Sequence, residues 1–251
     1  MSERYQPALL LEDIQHNLAA IHARMQAACA RAGRSAQEVR LLPVTKTVEV
    51  DRLRTAYAAG VRQMGENKVQ EAHGKWQAMG DLTDLQWCVI GHLQTNKAKV
   101  VAEFASEFHA LDSLRVAEAL DKRLQVLGRS LKVMVQVNTS GEESKFGLEP
   151  AQAVAFVKQL PAFSSLQVCG LMTLAINTSE ESRVRACFRV LRALRDQVQQ
   201  ETTYAGALRE LSMGMSGDFE WAIEEGATTV RVGQAIFGAR ALPDSHYWPA
   251  Q

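Results

Sequence analysis

The sequence predicts a closed (β/α)8 barrel of the TIM type in one domain, with an extra N-terminal helix. Three observations carry this expectation. Eight short β-rich runs alternate with helical stretches along 251 residues. Several of these runs are apolar on both faces, as strands of a parallel sheet covered by helices are. No Pro/Gly-rich break or low-complexity tract divides the chain. The length suits a single α/β barrel, and eight strand–helix units joined by right-handed crossovers close naturally into one. An open doubly wound sheet has the same periodicity and stays the alternative.

The elements follow in order. Ile14, Leu18, Ile21, Met25 and Ala28 recur at three- and four-residue spacing, so a helix is expected over about 8–32, closed by Gly33. The barrel is expected over about 40–240. Its strand runs are 40–44, 61–65, 85–91, 107–111, 131–138, 166–172, 208–213 and 228–233. Helical segments between them include 49–59, 113–126, 151–160 and 180–201.

Composition narrows the function classes. The 28 Lys plus Arg balance 28 Asp plus Glu, so no global field points to nucleic acid or an anionic membrane. Cys29, Cys88, Cys169 and Cys187 are scattered without a CxxC pair, which fits free thiols in a reducing compartment. The start, "MSERYQPALLLEDIQHN", does not look like a signal peptide, and no run approaches about 18 consecutive apolar residues. A cytoplasmic protein is expected, with neither nucleic acid nor membrane as partner. The six histidines show no HExxH or paired ligand spacing, so no metal site is expected. GxGxxG and GxxxxGK[ST] are absent, against a standard nucleotide loop. Arg185, Arg189, Arg192 and Arg195 share one side of a helix, which reads as a solvated face rather than an RNA or acidic-partner site.

Chemistry in such a barrel gathers where the strands end. The exits read Thr45 and Lys46; Glu66 and Asn67; His92, Gln94 and Asn96; Asp112 and Ser113; Asn138, Thr139 and Ser140; Met172 and Thr173; Ser212, Gly214 and Ser216; Arg231, Gly233 and Gln234. Their concentration of small and polar residues is what a ligand site requires. In "LSMGMSGDFEWAIEEG" (211–226), Gly214 and Gly217 permit close backbone approach, and a helix starts near Asp218. "RVGQAIFG" (231–238) leaves the eighth run through Gly233. Loops after strands seven and eight are a frequent phosphate seat in barrels, though turn punctuation alone would also explain the glycines. Lys46, in "RLLPVTKTVEV", would point its ammonium into the barrel mouth. Partly desolvated there, it would be an amine nucleophile; otherwise it is a rim lysine in an ion pair. A Schiff-base lysine facing a phosphate cradle with an arginine nearby is the equipment for pyridoxal 5′-phosphate (PLP). An aldolase-type Schiff base with a sugar phosphate is a further possibility.

The stretches "LLPVTKT", "MGENKVQEAHGK", "WCVIGHLQTNK", "VMVQVNTSGEESKFGL", "GLMTL", "LSMGMSGDFEWAI" and "VRVGQAIFGAR" together resemble the pyridoxal phosphate homeostasis protein family, in order from residue 41 to 240. The resemblance implies a single-domain barrel like the N-terminal domain of alanine racemases, binding PLP as a Schiff base on Lys46 in intracellular PLP homeostasis, without dedicated turnover. It implies that Ser212, Ser216 and the backbone around Gly233 hold the phosphate, that Arg231 faces the pyridine nitrogen, and that Asn67 lies near the cofactor; Gly214 is expected to belong to the same cofactor site. Gln234 stands where threonine is frequent, which leaves a backbone N–H contact to phosphate rather than a hydroxyl contact. Lys145, in "SKFG" at the strand-five exit, resembles the family's SK-x-G loop, and a role in guiding cofactor in or out is an expectation for it. A cation beside the pyridine nitrogen weakens the ring as an electron sink. The tail 241–251, with Tyr247, is too short for a racemase's second domain, which leads to the expectation of a monomer that hands PLP to apo PLP-dependent enzymes. The competing expectation is a PLP-dependent amino-acid racemase.

Overall fold

Eight parallel strands form one row that closes on itself in the computed structural model, which describes residues 5–202 and 207–239. They are β1 (Arg40–Pro43), β2 (Gln63–Glu66), β3 (Gln86–Val89), β4 (Glu107–Leu111), β5 (Leu131–Gln136), β6 (Leu166–Met172), β7 (Glu210–Ser212) and β8 (Thr229–Val232). The ladder order is β1-β8-β7-β6-β5-β4-β3-β2. Its two ends, β1 and β2, meet through one bridge, Val44 to Gly65, with the Thr45 N–H donating to the Gly65 carbonyl at 2.9 Å. The architecture is therefore the expected (β/α)8 barrel. All five residues of β4 are buried, and β5 exposes only Lys132, as strands covered on both faces should.

The helices are α1 (Leu11–Arg31), α2 (Val50–Ala58), α3 (Val69–Ala78), α4 (Ala98–Phe104), α5 (Leu114–Leu127), α6 (Ala153–Val157), α7 (Glu181–Glu201), α8 (Phe219–Glu224) and α9 (Gln234–Phe237). The segment expected as one helix over 151–160 is shorter and broken. A 3-10 turn at Pro150–Gln152 leads into α6, and a second one follows at Leu160–Ala162. Pro161 supplies the reason, since its ring and missing N–H do not continue a helix. The tail with Tyr247 lies outside the described residues.

Helix α1 is an addition to the barrel with a definite job. Its buried face of Ile14, Leu18, Ile21, Met25 and Ala28 lies against α2, α8 and α9. Arg24 pairs with Glu220 at 2.8 Å, Arg31 with Glu224 at 2.7 Å, and the Asn17 amide donates to the Ile236 carbonyl at 2.9 Å. The residues just before it join in. Ala8 N–H donates to the Phe237 carbonyl, and the Tyr5 hydroxyl to the Ser216 carbonyl at 3.0 Å. The N-terminal segment thus braces the two short helices that follow β7 and β8. Burying each large apolar side chain of such a face contributes about 1.5–3 kcal/mol.

Inside the barrel the core is partly ionic. Arg40 reaches across the floor to Glu107 at 2.6 and 2.7 Å, to Glu210 at 3.3 Å and to Thr229 at 2.9 Å. From Glu107 the contacts climb: His109 Nε2 lies 2.8 Å from the carboxylate, His109 Nδ1 lies 3.1 Å from Ser212 Oγ, and Arg231 donates to Ser212 Oγ at 2.8 Å. Burial would raise the Glu107 carboxyl, but hydrogen bonds from His109 and Arg40 outweigh it and hold the acid well below its usual range. Burial lowers His109, which favours the neutral ring. The consistent proton order is then Nε2–H to Glu107 and the Ser212 hydroxyl to Nδ1.

Candidate functional site

Lys46 sits on a turn that leaves β1. The Val48 N–H donates to the Thr45 carbonyl at 3.0 Å, and Thr47, third in the turn, has φ +66°. A positive φ at that place marks a type II turn, where glycine is the ordinary occupant. A β-branched residue there costs about 1–3 kcal/mol and persists only where neighbours hold it. Lys46 itself is buried, at 7% exposed.

The neighbouring exit belongs to β8. Val44 N–H donates to the Val232 carbonyl at 2.8 Å. A Cβ on Gly233 would lie 2.9 Å from the Val44 carbonyl oxygen, so only glycine seats β8 this close to the lysine's strand. The backbone N–H groups of Gly233 and Ala235 turn toward the Ser216 hydroxyl, at 3.3 and 3.4 Å. Gln234 opens α9 between them. Gly214 has φ +91°, and a Cβ there would lie 2.5 Å from that of Ala222, so the β7 loop folds tightly onto α8. The loops after β7 and β8 therefore converge on Ser216, next to the Lys46 strand.

Arg231 is 3% exposed. It donates to the Ser212 hydroxyl and to the Thr173 carbonyl, both at 2.8 Å, so its hydrogen bonds go to neutral acceptors. Burial pushes its pKa down to about 10, which leaves a cation at neutral pH. Ser212, grouped with Ser216 by sequence, is fully buried, and its hydroxyl is engaged by Arg231 and His109 below the loop that carries Ser216. Asn67, at the end of β2, is half-buried, and a Cβ on Gly91 would lie 2.1 Å from its carbonyl oxygen. Gly91, to which the sequence reading gave no role, is what lets β3's exit approach Asn67.

The opposite rim is a loop. Asn138 donates to the Glu142 carbonyl at 2.9 Å and accepts from Ser140. Lys145 donates to the Ala175 carbonyl at 2.7 Å, and the Phe146 ring stacks on His92 with centroids 3.9 Å apart. His92 lies 3.6 Å from Asp112, whose pKa burial raises. Lower in the barrel, Cys88, Glu107 and His109 bring ligand atoms within 4.8 Å of one another. Glu107 already carries Arg40, and both ring nitrogens of His109 are engaged, so the trio's donors serve the protein itself.

The family model of the alanine racemase N-terminal domain matches residues 14–241. A pyridoxal phosphate homeostasis protein of Aquifex aeolicus (strain VF5) is 43% identical over 217 residues, spanning 86% of this chain and 94% of that one. The chain belongs to the pyridoxal phosphate homeostasis protein family. Among solved structures similar to this family member is PipY of Synechococcus elongatus PCC7942. Its form with PLP bound aligns with a TM-score of 0.79 and 36% identity, covering 90% of this chain and 100% of that one. Its form without PLP gives a TM-score of 0.81 and 37% identity. An alanine racemase of Clostridium difficile 630 shares the fold at a TM-score of 0.72 with 15% identity, and this homeostasis-family chain covers 58% of its length.

Proposed function

We propose that this chain holds PLP as a Schiff base on Lys46 and serves intracellular PLP homeostasis without a dedicated turnover reaction. One observation carries the reading: a buried lysine on the β1 exit stands beside a β8 exit whose Gly233 and Ala235 N–H groups converge with Ser216. An aldehyde and a phosphate on one small ligand match that pair. This chain's own atoms support the fit: Gly233 seats the β8 exit against the Lys46 strand, Gly214 folds the β7 loop onto α8, and Arg231 supplies a cation that bonds no carboxylate among the described residues. When bound, PLP would supply an aldehyde group, and Lys46 would be the amine that holds it. Ser216, Gly233 and the Gln234 N–H would seat the phosphate, and Asn67 would flank the ring. Arg231, a cation at neutral pH, would keep the ring nitrogen unprotonated and the ring a poor electron sink, which supports storage over carbanion chemistry. The relatives' name, homeostasis protein rather than enzyme, supports the same reading. Apo PLP-dependent enzymes are the natural receivers of the cofactor, and a monomer in one barrel domain would leave the mouth accessible to them.

Borohydride reduction of the PLP-loaded protein followed by peptide mapping tests this. A pyridoxyl adduct on Lys46 is expected; an adduct elsewhere, or none, overturns the assignment. Rapid racemisation of an amino-acid panel, lost in Lys46→Ala, would replace storage with catalysis.

A further inference from the structure

Directly behind the turn that carries Lys46, between the barrel wall and α3, lies a buried polar knot. Lys75 on α3 is 6% exposed. Its ammonium has three protons, and three acceptors take them: the Thr45 carbonyl at 2.8 Å, Glu66 Oε1 at 2.7 Å and Glu71 Oε1 at 2.7 Å. The same Glu71 oxygen accepts from the Thr47 N–H at 2.6 Å, and the Thr45 hydroxyl donates to Glu66 Oε1 at 2.6 Å. The other Glu66 oxygen is buried with no hydrogen-bond partner among the described residues.

We propose that Lys75 and Glu71 are positioning residues for the Lys46 amine, gripping the backbone on both sides of it and holding Thr47 in its left-handed conformation. This rests on the reading of Lys46 as the Schiff-base lysine. Elsewhere α3 meets the wall with Val69 and Ala72, ordinary apolar contacts. A lysine and a glutamate buried together gain little stability over well-packed apolar residues, so this knot is poorly explained as a stability device. Its reach is local: it binds Thr45 and Thr47, the two chain neighbours of Lys46, and Glu66 at the end of the adjoining β2. A threonine stays at a place suited to glycine because its N–H is pinned by Glu71, and the pinned turn fixes the direction in which the Lys46 side chain departs.

Two substitutions test it, each in the full-length protein with PLP as the probe. Lys75→Met removes the hub, while Glu71→Ala frees the Thr47 N–H at a half-buried site that tolerates truncation. Val69→Ala, on the same helix and outside the knot, is the packing control. In both test variants PLP affinity, read by titration of the Schiff-base absorbance, should fall by roughly tenfold to a hundredfold. The control should stay within about twofold, and Lys75→Arg should recover part of the loss. Without any cofactor, hydrogen exchange at the Thr47 amide should accelerate in Glu71→Ala and not in the control. If Lys75→Met fails to fold, Glu71→Ala decides alone. A normal Lys46 adduct in the unsubstituted protein that Glu71→Ala leaves undiminished, with unchanged Thr47 exchange, overturns the inference by itself. No Lys46 adduct in the unsubstituted protein removes the functional reading and this inference with it.

Discussion

The floor and the mouth of the barrel treat an inward-facing arginine in opposite ways. At the floor, Arg40 is met by Glu107 in a two-bond fork and by Glu210, so its charge is matched on site. At the mouth, Arg231 is the more deeply buried of the two, yet among the described residues it bonds only a hydroxyl and a carbonyl. A matched charge keeps the wall together; on the proposed reading, a cation with no carboxylate bonded to it would be left to face the ligand. The polar column through Ser212 and His109 connects the two.

The sharpest way to break this contrast is at the floor. Glu107→Ala strands Arg40 and the ring of His109, and should cost about 3–5 kcal/mol in urea unfolding. Its pH dependence has a fixed sign. The folded chain holds Glu107 below its ordinary 4.5, so its contribution is complete above that value and drains away as pH falls below it. Unfolding midpoints measured from pH 7 down to pH 3 should drop in the parent chain and drop less steeply in Glu107→Gln.

Gly233→Ala should come next, at about 1–3 kcal/mol, because the new methyl meets the Val44 carbonyl at 2.9 Å and pushes β8's exit from β1. PLP affinity should fall in the same variant. Lys46→Ala should reverse the ranking: the melting temperature stays level or rises, while the reducible adduct is lost completely. A large loss of stability there would mean that the mouth, too, is structural. The smallest effect concerns the thiols. Burial pushes Cys169 up to about 12 and raises Cys88 well above the ordinary thiol value, so a disulfide reagent at neutral pH should modify the native protein slowly and the denatured protein fast.

The alternation of apolar runs and helical segments was enough to expect the barrel, and strand ends were enough to single out Lys46, Ser216 and Arg231. The inward charges are not legible in the same way. Arg40 in "RLLPV" and Glu107 with His109 in "EFHAL" look like routine strand polarity, because their partners stand 67, 103 and 170 residues away in the chain. Ser212 and Ser216 look alike in "LSMGMS", yet successive strand residues face opposite sides and the strand ends between them, so one hydroxyl serves the interior and the other the loop. Lys75 and Gly91 lay within the matching stretches without a visible role, since one acts through a helix–strand contact and the other through an approach that only coordinates reveal.

The wall of this cylinder is fastened unevenly. β1 shares a four-residue register with β8 but only one bridge with β2. Thermal breathing or a mechanical pull through the N-terminal segment should part that stitch before the longer ladders, such as β5 with β6. A tether from Lys46 to the β8 loop spans the well-sewn side, so loading the protein should leave the weak stitch to the α3 residues behind it, and the gap between β1 and β2 is where the empty and filled forms should differ most in pliancy.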